Sequence, residues 1–563
     1  MLMQIYSKLL LLILILFNSV LFAEAPDPVR GKNGMVVSAS KLASEVGIEI
    51  LKKGGNAIDA AVAVGFALAV TYPSAGNIGG GGFMVIRLND GTSTTIDYRE
   101  KAPIQAHEKM FQDSTGNFLP QLSQQGTTSA GVPGSVAGLI YALEKYGTMK
   151  LKDVIEPAIK LAEEGFVLDY RLAQSINYNY EEFLKYPSSK KIFTKDGQPF
   201  VEGDLFVQKD LANTLKLIAE NGRDGFYKGE VADKIIHQIQ SLGGIITHKD
   251  LESYFPVERK PLISSYKEFE VITMGPPSAG GVTLIQSLNI LENVSFSRLD
   301  WGSSNYIHTI TEALKFSFAD RSKHLGDMDF YKVPIDKLTS KKYAKKLFER
   351  ISEKAIPSEQ IAPTDFSSIF ESPETTHYSV IDKFGNAVST TTTINSSYGS
   401  KIVVEGAGFL LNNEMDDFSS KPGEPNQFGL VGSEANKIEP GKRMLSSMTP
   451  TIITKENKPV LILGSPGGST IPTAVLQVIL NYLDFGMDIQ EAVNAPRFHH
   501  QWLPDQIDYE TFGLTKDVIE NLLNRGQILG NERMLGRVEA IAIENEWYFG
   551  ATDPRGFGAA IGY

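Results

Sequence analysis

Between positions 375 and 393 the chain reads TTHYSVIDKFGNAVSTTTT, two runs rich in β-branched and aromatic residues around a short turn-forming stretch. Such side chains pack well on a pleated surface, and Gly385 supplies the positive φ that a tight loop needs. The expectation is a β-hairpin with Lys383, Phe384 and Gly385 as its loop. Setting Asp382 opposite Asn386 carries Thr375 to a position directly across from Thr393, with Cα atoms about 4.5–5.5 Å apart. Any fold for this chain must house that hairpin together with what precedes it. Residues 352–374 are polar and carry Pro357, Pro363 and Pro373, the texture of an exposed connector.

Threonine pairs across strands are mostly structural; what sets this one apart is its place in the chain. A break between Glu374 and Thr375 would give Thr375 a free α-amine beside its own hydroxyl, so that one residue supplies both nucleophile and base. Residues 464–470, Gly-Ser-Pro-Gly-Gly-Ser-Thr, follow an apolar strand and open a helix, which lets the N–H groups of Gly467 and Gly468 face an oxyanion. Polar residues cluster at Asn395, at 412–417 with Glu414 and Asp417, and at Ser446 and Ser447, while Arg99 stands at the end of an expected strand. A guanidinium and hydroxyls suit a carboxylate, and acidic or amide oxygens suit an ammonium, the two ends of a free amino-acid head group. His499 and His500 lack the spacing of a zinc helix motif and read as core residues. His377 shares a strand face with Thr375 and reads as support behind it.

The remaining pattern is mixed helix and sheet. Helical spacing covers 41–53, closed by Gly54-Gly55, then 57–70, 135–146, 211–221, 307–321 and 472–485, and short strands at 83–87 and 94–98 flank Asn89-Asp90-Gly91. The glycines at 79–82 lack the ending of a phosphate loop and read as a place of close backbone packing. Lys341, Lys342, Lys345 and Lys346 read as one solvated helix face. With 563 residues, 42% hydrophobic, the chain can bury a large core, and a net charge of -12 without a basic stripe argues against a nucleic-acid partner. Lys8 precedes an apolar run over 9–17, and small residues follow at Ser19, Ala23 and Ala25, so residues 1–25 read as a removable export signal. The run falls short of the roughly 20 apolar residues that a stable membrane anchor needs. Cysteine is absent, which removes disulfides, thiolate metal sites and a cysteine nucleophile.

The run 375–399, with Asn395 and Tyr398-Gly399, resembles the processing-site motif of the gamma-glutamyltransferase family. Similar stretches continue through 410–419, 442–450, 464–469 and 494–503, and 55–82 and 99–103 match the other half, so nearly the whole chain after the export signal is covered. The resemblance implies an α/β (α+β) N-terminal-nucleophile hydrolase with a four-layer αββα sandwich. It would be built from two fragments of one precursor, 26–374 and 375–563, after autocatalytic cleavage between Glu374 and Thr375. Thr375 would be the nucleophile, Thr393 its orienting hydroxyl, and Gly467 with Gly468 the oxyanion hole. Arg99, Ser446 and Ser447 would hold the glutamyl α-carboxylate; Asn395, Glu414 and Asp417 would hold its α-ammonium. The implied reaction moves the gamma-glutamyl group of amides such as glutathione to water or to an amino acid or peptide. No metal or organic cofactor enters that scheme, and the place of action is the periplasm or the exterior.

Glu414 stands where some bacterial relatives carry glutamine, and Phe428 stands where the flap over the glutamate pocket often has tyrosine. A β-lactam side-chain (glutaryl) acylase of the same fold is the alternative, and an exported amino-acid-binding protein is a more distant one.

Overall fold

The computed structural model describes residues 26–361, 375–421 and 423–563. The expected export signal and Glu374 lie outside these residues. The hairpin is present as β8 (Thr376–Asp382) and β9 (Ala387–Thr393), paired Thr376 to Thr392 through Ile381 to Ala387. Its loop closes because Gly385 adopts φ 88° and donates from its N–H to the Asp382 carbonyl at 3.1 Å. The Asp382 carboxylate accepts from the N–H groups of Phe384 and Asn386, which ties the loop to its own base.

The hairpin occupies the middle of a seven-stranded sheet. Beside β8 runs β2 (Gly34–Ser38) and then β14 (Ala559–Gly562); beside β9 run β3 (Gly81–Arg87), β4 (Ser93–Asp97) and β5 (Val257–Arg259). A second seven-stranded sheet is ordered β1 (Val29–Gly31), β13 (Trp547–Ala551), β12 (Glu539–Glu544), β11 (Lys458–Gly464), β10 (Thr451–Lys455), β7 (Phe269–Thr273) and β6 (Leu262–Tyr266). Successive side chains of a strand point to opposite faces. Met35 and Val37 accordingly meet Ile452, Ile462 and Ile541 between the sheets, and Val36 faces outward.

Helices cover both outer faces. On the hairpin's sheet lie α1 (Lys41–Lys52), α2 (Ala57–Thr71), α3 (Ser135–Tyr146) and α4 (Leu151–Glu164), followed in the chain by α5 (Tyr170–Tyr178). On the other sheet lie α6 (Ala279–Leu291), α7 (Ser304–His324) and α8 (Ile471–Leu483). This is a helix, sheet, sheet, helix sandwich. All of α2 is buried, as a nearly all-apolar segment requires, and its start is fixed by a reciprocal cap between Asn56 and Asp59.

Candidate active site

Continuing the hairpin register by one residue sets Thr375 opposite Thr393, whose other neighbour is Gly81 on β3. Both threonines are nearly buried, and both line one pocket. The glycines at 79–82 explain how the chain approaches so closely. A Cβ on Gly80 would stand 2.1 Å from the Thr393 carbonyl oxygen, and one on Gly82 would stand 2.5 Å from that of Thr391. Asn77 donates to the same Thr393 carbonyl at 2.9 Å, and the Thr393 hydroxyl accepts from the Asn395 N–H at 2.8 Å. Two residues along from Thr375, His377 is sealed between the sheets, with Nδ1 at 2.8 Å from the Thr391 hydroxyl and Nε2 at 3.1 Å from that of Ser379. Burial pushes its pKa down to about 3, so the ring is neutral. It fills the space that a side chain at Gly464 would need, since a Cβ there would lie 2.4 Å from the imidazole.

Gly464 ends β11 and opens the second element of the site. The chain passes through a one-turn 3-10 helix, Gly468–Thr470, into α8, with Gly467 at φ 137° and Gly468 at φ 54°. Gly468 lines the pocket; Gly467 stands one residue behind it, where a Cβ would meet the Thr470 hydroxyl at 2.4 Å.

The head-group residues converge on the same pocket, though not as two separate grips. Arg99 is fixed by its N–H donating to Asp97 at the end of β4 and by its carbonyl accepting from the Tyr254 hydroxyl. The expected arrangement was a guanidinium fork open to a carboxylate. Instead Arg99 donates through Nη1 to Glu414 and through Nη2 to Asp417 at 2.5 Å, with further bonds to the carbonyls of Met444 and Leu445. Burial works against the charge of Arg99, but Glu414, Glu100 and Asp417 outweigh it and hold its pKa above the ordinary value. Burial likewise pushes Glu100 up to about 7 and raises Glu414 and Asp417, with Arg99 opposing the shift in each.

Asn395, at φ 73°, lines the pocket and donates its side-chain amide to the Asn413 carbonyl. Ser446 and Ser447 lie on the facing wall, where Arg321 of α7 reaches the Ser447 hydroxyl at 3.3 Å. Arg321, Glu100 and Asn426 are the residues that the sequence did not single out. Arg321 sits in a helix that carries polar residues on every side and is nonetheless largely buried.

A flap closes the pocket. Pro425 and Val431 bridge to each other, Phe428 packs over Gly468, and the side-chain amide of Asn426 donates to Asp417 at 3.1 Å. Gln427 receives a bond from the Ser396 hydroxyl, and its N–H donates to Asp416. The space left beneath is about 30 Å³, room for a water or two. Among the described residues no cluster of three or more His, Asp or Glu is arranged to hold a metal, and no helix is long and apolar enough to cross a membrane. His499 bonds Thr473 and Gln501, and His500 faces Asp505.

The family model for Gamma-glutamyltranspeptidase matches residues 43–563. The chain belongs to the gamma-glutamyltranspeptidase family. Among members of that family, the glutathione hydrolase proenzyme of Escherichia coli K12 is 49% identical over 532 residues, covering 94% of this chain and 91% of the relative. A Helicobacter pylori gamma-glutamyltranspeptidase structure is 50% identical, with a TM-score of 0.57, covering 61% of this chain and 97% of that one. The cephalosporin acylase of Bacillus halodurans superposes with a TM-score of 0.85 at 27% identity, over 97% of this chain and 98% of that one. The sandwich is therefore shared by transpeptidases and acylases, and the choice between them lies in the pocket.

Proposed function

We propose that this gamma-glutamyltranspeptidase family member hydrolyses gamma-glutamyl amides such as glutathione, and transfers the gamma-glutamyl group to amino acids or peptides, after cutting itself between Glu374 and Thr375. The observation that carries the choice of substrate is the charge balance of the pocket. Glu100, Glu414 and Asp417 surround the Arg99 guanidinium, and Arg321, which reaches the Ser447 hydroxyl, lies near Asp417 on the pocket wall. A zwitterionic glutamyl head adds no net charge; its ammonium meets Glu414, Asp417 and the Asn395 oxygen, and its carboxylate meets Ser446 and Ser447 beside the guanidiniums. A glutaryl group lacks the ammonium and would bring a further buried negative charge to a site already rich in carboxylates.

In the reaction, the α-amine of Thr375 takes the proton of its own hydroxyl as Oγ attacks the γ-carbonyl carbon, and Thr393 orients that hydroxyl. The oxyanion is met by the N–H groups of Gly467 and Gly468, where one such donor contributes about 10²–10³ in rate. The C–N bond breaks, the leaving amine takes the proton, and the γ-glutamyl ester on Thr375 passes to water or to an acceptor amine. The leader over residues 1–25 would place this chemistry outside the cytoplasm.

Two measurements test the reading. Denaturing electrophoresis should give two fragments for the wild type, the smaller beginning at Thr375, and one full-length band for Thr375→Ala. A γ-glutamyl anilide should be cleaved at least a hundredfold faster than the matching glutaryl anilide; the reverse preference would make this an acylase.

A further inference from the structure

The pocket carries a second guanidinium, that of Arg321, on the wall facing Arg99. Each nitrogen of Arg99 is already engaged. Nε donates to the Met444 carbonyl at 3.3 Å, Nη2 to Asp417 and to the Leu445 carbonyl at 3.2 Å, and Nη1 to Glu414, with Glu100 at 3.5 Å. One cation thus stands among three carboxylates. A substrate carboxylate brought to that cluster would be a further buried negative charge without a cation of its own.

Arg321 is placed by the end of α7. It lies in the last turn, where the negative end of the helix favours a cation, and it is almost fully buried. One turn on, Leu325 donates its N–H to the Arg321 carbonyl at 3.2 Å and packs in one apolar cluster with Leu445. Two residues beyond Leu445, the Ser447 hydroxyl meets Nη2 of Arg321 at 3.3 Å. The serine pair is itself held to the start of α6: the N–H of Ser446 donates to the Pro277 carbonyl at 2.9 Å, and its carbonyl accepts from the Ala279 N–H at 2.7 Å. The Ser447 carbonyl accepts from the Thr449 hydroxyl at 2.8 Å.

The direction of the bond from Arg321 decides what Ser447 can do. Its oxygen accepts from the guanidinium, so its own proton remains to be given to another acceptor. A hydroxyl polarised by a cation is a stronger donor than a free one, and the charge behind it attracts an anion.

We propose that Arg321 is the residue that selects for the α-carboxylate of the γ-glutamyl group: it positions the Ser447 hydroxyl to donate to that carboxylate and supplies the positive charge that balances it, while Arg99 holds Glu414 and Asp417 in place for the ammonium. The inference rests on the γ-glutamyl reading above. It gives the two guanidiniums different tasks, and it makes the cost of losing Arg321 depend on whether the substrate bears an α-carboxylate.

The test uses the self-processed enzyme and two donors, a γ-glutamyl anilide and the γ-aminobutyryl anilide, which differs only by a hydrogen in place of the α-carboxylate. In Arg321→Met, kcat/KM for the γ-glutamyl donor is expected to fall about thirtyfold, chiefly through KM, as for a lost hydrogen bond to a charged group, while the value for the γ-aminobutyryl donor stays within about twofold. Arg321→Lys should restore part of the loss. Adding Ser447→Ala to Arg321→Met should cost far less than Ser447→Ala alone, because the two side chains act as one unit. A thermal melt of each variant reports its folding; if Arg321→Met does not fold, the same pair of donors is compared on Arg321→Lys, for which only the γ-glutamyl donor should suffer. A parallel fall for both donors overturns the proposal, as does an unchanged γ-glutamyl value, strict additivity of the two substitutions, or a wild type indifferent to the α-carboxylate. A wild type that cleaves neither donor defeats the γ-glutamyl reading itself, and so is told apart from a misassigned residue.

Discussion

At the scale of single residues, the site is governed by a buried guanidinium that satisfies two carboxylates at once. Arg99 is fully buried, and its two terminal nitrogens point to different partners, Glu414 and Asp417. Lysine keeps the charge but cannot reach both in that geometry. Arg99→Lys should therefore raise the KM for γ-glutamyl substrates by about tenfold or more and leave self-cleavage intact, as steady-state kinetics and electrophoresis would report. Arg99→Ala removes the guanidinium that Glu414 and Asp417 both accept from, a change of the kind that costs about 3–5 kcal/mol, so its melting midpoint should fall well below that of the lysine variant. At Gly467 the constraint is backbone. With φ at 137° and Thr470 within 2.4 Å of a hypothetical Cβ, alanine cannot be placed without moving the turn. Gly467→Ala is expected to lower kcat by about 10²-fold with a much smaller effect on KM, the signature of a lost oxyanion contact.

At the scale of elements, the flap covers the pocket and is tied down by its anchor. Asp416 lies beneath the flap and accepts both the Gln427 N–H and the Ser123 hydroxyl, which joins the flap to the large N-terminal part of the chain. Burial pushes its carboxyl up to about 6. A carboxyl raised above its unfolded value lends stability that is complete below the unfolded value, near 3.8, and that is lost as pH rises through about 6. Comparing wild type with Asp416→Asn isolates this contribution. The stability of the wild type relative to the variant should decline by up to roughly 3 kcal/mol between pH 4 and pH 7, measured by denaturant unfolding. A difference that grew with pH would place the proton elsewhere.

At the scale of the whole molecule, the strands on either side of residue 375 are interleaved in both sheets. The β8–β9 hairpin lies between β2 and β3, β14 covers the other edge of β2, and in the second sheet β13 joins β1 while β10 joins β7. Backbone ladders and a shared intersheet core therefore hold together what a cut at Thr375 would divide. The processed protein should migrate as one particle in native size-exclusion chromatography and release two fragments only under denaturant; separation in plain buffer would contradict this interleaving.

The sequence by itself determined the hairpin, its register and the meeting of Thr375 with Thr393, because loop chemistry and β-branched strands act over a few neighbouring residues. It also marked the glycines at 79–82 as a close approach and the turn at 464–470 as a helix entrance, again from local backbone needs. The grip of Glu414 and Asp417 on Arg99, more than 300 positions away in the chain, was decided only by the tertiary structure, as were the burial of Arg321 and the closure of Phe428 over Gly468. Partners for buried charges and the walls of a cavity depend on which strands the sheets bring side by side, and no local pattern of residues encodes that.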